Sequence, residues 1–430
     1  VSDKKIRIKV PALTRVEGEG SLDLHIDDGK ITKLRLNIFE PPRLFEKFLE
    51  GRHYSEVPDI VARICGICPV AYQMSAVTAL ESLFEVDPGP WVKAMRRLFY
   101  CGEWIESHAL HIHLLAAPDF LGYESAPAMA QDYPEQVRRG IRLQHAGNAI
   151  LKLLGGRSVH PVGVRVGGFH AAPALKDVEQ LLQQLRTALV EAQALLRWVA
   201  NLPMPDNVQN FLQVATASAQ EYPMIGDAIV TSNGDTLDMD AFEQNFQESH
   251  EPHSTALFCR FQDQAYLVGP LARVNLHRQY FSSELQQAIT DTGITFPSNN
   301  MYHSIIARAV EIQFALMEAI QILESYQVPA SPFVEVETRA GVGYGGSEAP
   351  RGLLWHRYEV DDAGLIVNAR IVPPTSQNQA RIEEDLHFSI AHFGLDKGEE
   401  ELRRHAEQVI RNYDPCISCA THFLDLRIHK

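Results

Sequence analysis

Two Cys-x-x-Cys units near opposite ends of the chain restrict its fold more than any other feature. Cys65 and Cys68 stand in ARICGICPV (62–70), and Cys416 and Cys419 stand in DPCISCATH (414–422). Four thiolates in two such units suit a soft or borderline metal. A structural zinc site with four cysteines is one reading. Such sites staple short modules with roughly 15–20 residues between pairs, whereas here about 350 intervene. Two independent redox dithiols are another reading. If all four thiolates share one site, the fold has to close N-terminal residues (about 60–70) and C-terminal residues (about 414–422) around it. That favours one compact unit over 1–430 rather than separable domains.

The remaining two cysteines, Cys101 and Cys259, lie in the apolar or aromatic contexts LFYC and ALFC. They read as buried core thiols, cysteine acting there as a small hydrophobe. Six cysteines in 430 residues are too few for a disulfide framework. Lys plus Arg is 39 against Asp plus Glu 54, a formal charge of −15. Such acidity argues against nucleic acid or an anionic membrane as the main partner. No apolar run approaches the ~20 residues of a membrane span, so no direct membrane insertion is expected. The first ten residues, VSDKKIRIKV, lack the apolar core of a signal peptide. The expected location is cytoplasmic, although a partner subunit can carry an export signal.

The fold class expected is α+β, predominantly helical, with a long-helix core and β segments towards both ends. IRIKV, GSLDLHI and ITKLRLNI, the last two separated by DDGK, read as strands within 5–37. Residues 69–84 and 91–115 read as helices. A further helix is expected over about 177–199, with Val178, Leu181, Leu182, Leu185 and Leu189 on one face. Another spans about 302–326, with Ile305, Ala309, Ile312, Leu316, Ile320 and Leu323 as its stripe. LLWHRYEV and LIVNARIV flank DDAG as a hairpin. The glycine-rich GVGYGGSEAPRG (341–352) reads as a loop with backbone freedom for close approach.

The residues around the cysteines resemble one family, the large catalytic subunit of nickel–iron hydrogenases. Its signatures take the form Arg-x-Cys-Gly-x-Cys near the N-terminus and Asp-Pro-Cys-x-x-Cys-x-x-His near the C-terminus. The chain has Arg63-Ile64-Cys65-Gly66-Ile67-Cys68 and Asp414-Pro415-Cys416-Ile417-Ser418-Cys419-Ala420-Thr421-His422. The resemblance continues through LTRVEGEG (13–20), EPPRLFEKFLEGR (40–52), SHALHIHLLAAPDFLG (107–122), GGRSVHPVGVRVGGF (155–169), SEAPRG (347–352) and IVPPTSQNQ (371–379). EPPRLFEKFLEGR and CPVAYQM are most similar to the soluble, multi-subunit group that exchanges electrons with NAD(P) or a deazaflavin, and within it to the sulfhydrogenase alpha-subunit type.

The resemblance implies a nickel–iron centre whose iron carries carbon monoxide and cyanide. Cys65 and Cys416 would be terminal nickel ligands, and Cys68 and Cys419 would bridge to iron. Soft thiolates stabilise low-valent nickel and leave positions open for dihydrogen. Glu17, in TRVEG, matches the family's proton-gate glutamate. Arg351 matches an arginine over the open side of the metals that contacts a cyanide, and Asp414 a carboxylate that pairs with it. Pro350 and Pro374 or Thr375 would line the pocket for the diatomic ligands. Glu46 and His422 match ligands of a magnesium (or iron) ion below the site, with a backbone carbonyl near Arg370 as a third. The histidines His108, His111, His113, His145, His160 and His170 are not read as a metal site. Of these, His160 and His111 are expected nearest the active-site surroundings.

Two positions depart from the family pattern. Tyr72 stands where many relatives carry a histidine, and Ser107 where uptake-type enzymes carry an aspartate. The implied activity is reversible oxidation of dihydrogen. The alternative is a dihydrogen sensor or non-catalytic scaffold signalling through a partner subunit. The remaining Cys101 and Cys259 are not arranged for iron–sulfur clusters, which normally need four ligands each. Electrons would therefore leave through an iron–sulfur small subunit, and then through flavin-containing NAD(P) reductase subunits. Maturation proteins are implied as transient partners. In many relatives an endopeptidase cuts just after the histidine matched by His422. In the residues that follow, FLDLRIHK, Leu424, Leu426 and Ile428 alternate with Asp425 and Arg427, the period of a half-buried strand. A retained, packed tail is the expectation.

Overall fold

The computed structural model describes residues 5–421; His422 and the alternating tail fall outside them. Strands β1 (Lys5–Val10), β2 (Gly20–Asp27) and β3 (Lys30–Ile38) form an antiparallel meander. Ile6, Ile8 and Val10 are buried on alternate positions of β1, as the period-2 pattern requires. The loop between β1 and β2 carries Glu17 and turns at Gly18, whose φ is +90°. A Cβ there would stand 2.6 Å from Ile417, so a glycine lets this loop lie against the C-terminal segment.

After the short helix α1 (Phe45–Leu49), the core is built from long helices: α2 (Pro69–Phe84), α3 (Gly89–Leu110), α4 (Pro134–Gly155) and α5 (Leu175–Val199). α3 and α4 cross closely because Gly102 faces Gly147. A Cβ on Gly147 would lie 2.5 Å from the Gly102 carbonyl. Beyond α3 the helix continues as one π-helical segment, His111–Ala116, where a plain α-helix was expected. An inserted π segment shifts the face presented by the residues that follow. Helix α6 (Pro270–His277) is followed by α7 (Ser304–Glu324). The expected stripe of α7 is buried except for the half-buried Ile320, and Arg308 and Glu311 are also fully enclosed, so the first half of α7 is core nearly all round.

The expectation of a loop over 341–352 is corrected. Residues Gly341–Ala349 form strand β4, paired in register with β5 (Gly352–Val360), which pairs with β6 (Ile366–Val372). The glycines serve helix contact rather than loop freedom. A Cβ on Gly343 would stand 2.1 Å from the Ala79 carbonyl, and one on Gly345 2.5 Å from the Ala79 nitrogen. The strand therefore lies backbone-on-backbone against α2, the helix that starts just after Cys68. Helices α8 (Pro374–Phe393) and α9 (Glu399–Asn412) follow, and a short helix, α10 (Ile417–Ala420), carries Cys419. Among the described residues, no helix is long and apolar enough to cross a membrane.

Candidate metal centre

The fold brings all four cysteines of the two pairs together. Their sulfurs lie within 4.8 Å of one another, with Cys65 Sγ 3.6 Å from Cys416 Sγ and Cys68 Sγ 3.9 Å from Cys419 Sγ. All four are buried, and Cys101 and Cys259 are buried separately in the core. The N-terminal pair is set by the start of α2. Pro69 opens that helix, where its missing N–H costs nothing. The Val70 and Ala71 amides at this helix start donate to the buried Glu103 carboxylate of α3, at 2.6 and 3.1 Å. The Ile67 and Cys68 amides point at Cys65 Sγ, at 3.3 and 3.2 Å. Hydrogen bonding from Cys416, then from Cys419 and Cys68, holds the Cys65 thiol well below its ordinary range. Burial, then the neighbouring thiols, pushes Cys416 up. A site that ionises one thiol readily and its neighbours reluctantly needs a cation to hold all four as thiolates.

The C-terminal pair is docked by residues from three other segments. The Cys416 amide donates to Thr375 Oγ1 in the first turn of α8, at 3.0 Å. The Ile417 amide donates to the Glu17 carbonyl at 2.9 Å. Glu17 Oε2 accepts from the Ser418 amide at 3.0 Å and from Cys416 Sγ at 3.1 Å. Glu17 is half-buried rather than enclosed. Arg43 Nη2 donates to the Ile64 and Ser418 carbonyls, both at 2.5 Å, so one guanidinium grips the peptides preceding Cys65 and Cys419.

Arg351 and Asp414 form the wall beside the cysteines. Arg351 Nη2 donates to Asp414 Oδ1 at 3.0 Å, and its Nε to the Asp414 carbonyl at 2.6 Å. Burial opposes the charge of Arg351, but Asp414 and then the cysteines outweigh it, and the guanidinium is held above its ordinary range. Its Nη1 is buried with no partner among the described residues. Tyr72 and Ser107, the two departures from the family pattern, present hydroxyls in the same condition. A buried donor without an acceptor is costly. The orphaned donor of Arg351 and four converging sulfurs are the donor set that a nickel–iron centre with an anionic ligand on iron would satisfy. Pro350, Pro374 and Thr375 are all buried, and Thr375 is the one that bonds the cysteine segment directly.

Glu46, on α1, points to β6: its Oε1 accepts from the Ile371 amide at 2.7 Å. Burial pushes its carboxyl up to about 7. Arg370, beside Ile371, pairs with Glu243 and Glu248 at 2.7 and 3.0 Å. His422, expected beside Glu46, lies outside the described residues. His160 Nδ1 meets the Ala62 carbonyl at 2.7 Å, next to the N-terminal pair. His111 Nε2 meets the Arg411 carbonyl at 2.8 Å, and burial pushes His111 down to about 3. A cleft of about 680 Å³ lined by Arg15, Asp119 and Arg411 contains none of the cysteines. Sequence reasoning missed Arg43, Glu103 and Arg308. Only Arg308 carried a signal: with Glu311 it places a charged pair at i, i+3 inside the otherwise apolar stretch 305–312.

The chain matches the nickel-dependent hydrogenase family over residues 43–139 and 231–422. It is 30% identical to the sulfhydrogenase 1 alpha subunit of Pyrococcus furiosus, over 97% of this chain and 98% of that protein. Identity to the sulfhydrogenase 2 alpha subunit of the same organism is 31%, over 97% and 100%. The crystal structure of an NAD+-reducing nickel–iron hydrogenase in the H2-reduced state superposes with a TM-score of 0.87 at 27% identity, covering 97% of this chain and 99% of that one. The Ni-Fe-Se hydrogenase of Desulfomicrobium baculatum shares the fold, with a TM-score of 0.78 at 21% identity, over 97% and 100%. The chain belongs to the large-subunit family of the nickel-dependent hydrogenases.

Proposed function

We propose that this chain is the catalytic subunit of a nickel–iron hydrogenase and carries out the reversible oxidation of dihydrogen, H2 to two protons and two electrons. One observation carries this reading: sulfurs from opposite ends of the chain converge within 4.8 Å, with a carboxylate in contact with one of them. When bound, the nickel–iron centre supplies heterolytic cleavage of dihydrogen. The protein's part is to hold it and to move the proton. Cys65, Cys68, Cys416 and Cys419 would hold the metals. Glu17, 3.1 Å from Cys416 Sγ, is within reach to take a proton from that sulfur and pass it outward. Arg351, held by Asp414, would donate its unpartnered Nη1 to a cyanide on iron. Pro350, Pro374 and Thr375 would wall the pocket for carbon monoxide and cyanide. Glu46, with His422, would hold a magnesium (or iron) ion.

The electrons would pass to an iron–sulfur small subunit and then to NAD(P) or a similar soluble acceptor through flavin-containing partners. The names of the relatives, alpha subunits and an NAD+-reducing enzyme, support this arrangement. The whole of 1–430 would act as one catalytic unit in the cytoplasm, assembled with maturation proteins. The test is metal analysis joined to infrared spectroscopy and dihydrogen-dependent dye reduction. One nickel and one iron at the site, carbon monoxide and cyanide bands, and turnover are expected. Zinc in place of nickel, with no such bands, rejects the reading. Nickel and iron with the bands but no turnover replaces it with a sensor.

A further inference from the structure

Arg351 sits in a closed ring of buried polar groups that reaches well beyond the cysteines. Asp414 divides its carboxylate between two guanidiniums, Oδ1 to Arg351 at 3.0 Å and Oδ2 to Arg308 Nη1 at 3.3 Å. The same Arg308 Nη1 lies 3.2 Å from His108 Nδ1. A guanidinium only donates, so Nδ1 accepts and the imidazole proton is on Nε2. That nitrogen faces Glu311 Oε2 at 2.9 Å. Glu311 also accepts twice from Arg273, at 2.7 Å each, and from the Tyr222 hydroxyl at 2.7 Å. Arg273 then reaches Glu348 at 2.9 Å and, at 3.3 Å, the carbonyl of Pro350, the residue before Arg351. The ring thus leaves Arg351 through its Asp414 partner and returns to it through the preceding peptide. Every side chain in it is no more than 3% exposed.

We propose that His108 and Arg308 are positioning residues for the Arg351–Asp414 pair, and that they aim the free Nη1 of Arg351 at the ligand on iron. His108 is the one uncharged link between two guanidiniums. A proton on Nδ1 would set donor against donor and add a fourth positive charge to those of Arg351, Arg308 and Arg273. The ring therefore needs the neutral, Nε2-protonated tautomer, and burial pushes His108 down to about 4 in the same sense. Glutamine can supply the same acceptor and donor; leucine supplies neither.

The inference rests on the proposed contact between Arg351 and a cyanide. Its test is the infrared spectrum of the assembled, nickel-loaded enzyme. His108→Leu is expected to shift a cyanide stretch and to lower kcat roughly tenfold with KM for dihydrogen little changed, as for other groups that orient a metal site from outside its ligands. His108→Gln is expected to restore most of both. Arg308→Lys, which keeps the charge and loses the fork, is expected to shift the same band. The double variant should shift it no further, because both act through one contact. A folded, nickel-loaded Arg308→Lys or His108→Leu protein with an unmoved band overturns the proposal, even if its Tm falls. Bands missing from the wild-type protein reject the functional reading and this inference with it. Bands present in wild type and unmoved in the variants reject the inference alone.

Discussion

Cys416 draws partners from three distant parts of the sequence: Glu17 Oε2 at 3.1 Å, Cys65 Sγ at 3.6 Å and, through its amide, Thr375 Oγ1 at 3.0 Å. Glu17 uses one oxygen for both Cys416 and the Ser418 amide. Glutamine can still accept that amide bond through its carbonyl, but it cannot relay a proton. Glu17→Gln is therefore expected to keep nickel and iron at wild-type content while lowering dihydrogen oxidation by about 10²-fold or more. Wild-type turnover with full metal content would remove Glu17 from the proton route. At this scale legibility was uneven. The cysteines declared themselves by spacing. Glu17 and Glu46 are marked only by the motifs around them, because a carboxylate's partner in space leaves no mark on its neighbours in sequence. Arg43 shows the limit. Its two acceptors are backbone carbonyls, Ile64 and Ser418, and a carbonyl carries no residue identity to read.

Between residue and molecule stand the elements that present the site. The long helices were legible because their periodicity is set by burial, whereas β4 was misread because its glycines look like loop. Strand pairing with β5 and contact with α2 explain the composition: a side chain at 343 has no room. Gly343→Ala is expected to lower stability by about 1–3 kcal/mol, with a lower Tm and reduced nickel content as α2 shifts Cys68. An unchanged Tm would mean that β4 can move off α2 freely. The end of α3 and its π segment carry three buried histidines, His108, His111 and His113, pushed down by burial to about 4, 3 and 4. Each binds a proton in the unfolded chain below about pH 6.5 but not in the folded one until far lower. Their stabilising effect is complete above that pH and is lost as pH falls towards the folded values, at about 1.4 kcal/mol per pH unit for each. His113 lies away from the cysteines, stacked on Trp198 with ring centroids 5.7 Å apart. His113→Phe is expected to flatten the fall of stability between pH 6.5 and 5 by about one proton, read from urea midpoints across that range. A variant with the wild-type slope would show that His113 is already solvated in the native state.

At the scale of the whole molecule, the site is a clasp between the two ends of the chain. Residues 414–421 are held by the Glu17 loop, by Arg43 before α1, by Thr375 on α8 and by Arg351 after β4. The 62–68 segment shares Arg43 with them. Those contacts are neutral or charge-assisted hydrogen bonds, each adding roughly 0.5–3 kcal/mol. Against them stand four buried sulfurs that cannot all ionise side by side without a cation. Metal binding removes that conflict, and its free energy adds to closure of the chain around the site. Stripping the metals is therefore expected to raise amide hydrogen exchange in 62–68 and 414–421 together, with the amides of β1–β3 and the middle of α5 unaffected. Arg43→Met should raise exchange in both segments even in the metal-loaded protein, since one side chain ties both. Faster exchange confined to 414–421 would show that the N-terminal pair is preformed and that only the C-terminal segment closes. Unchanged exchange in both would mean that the protein alone holds the clasp shut.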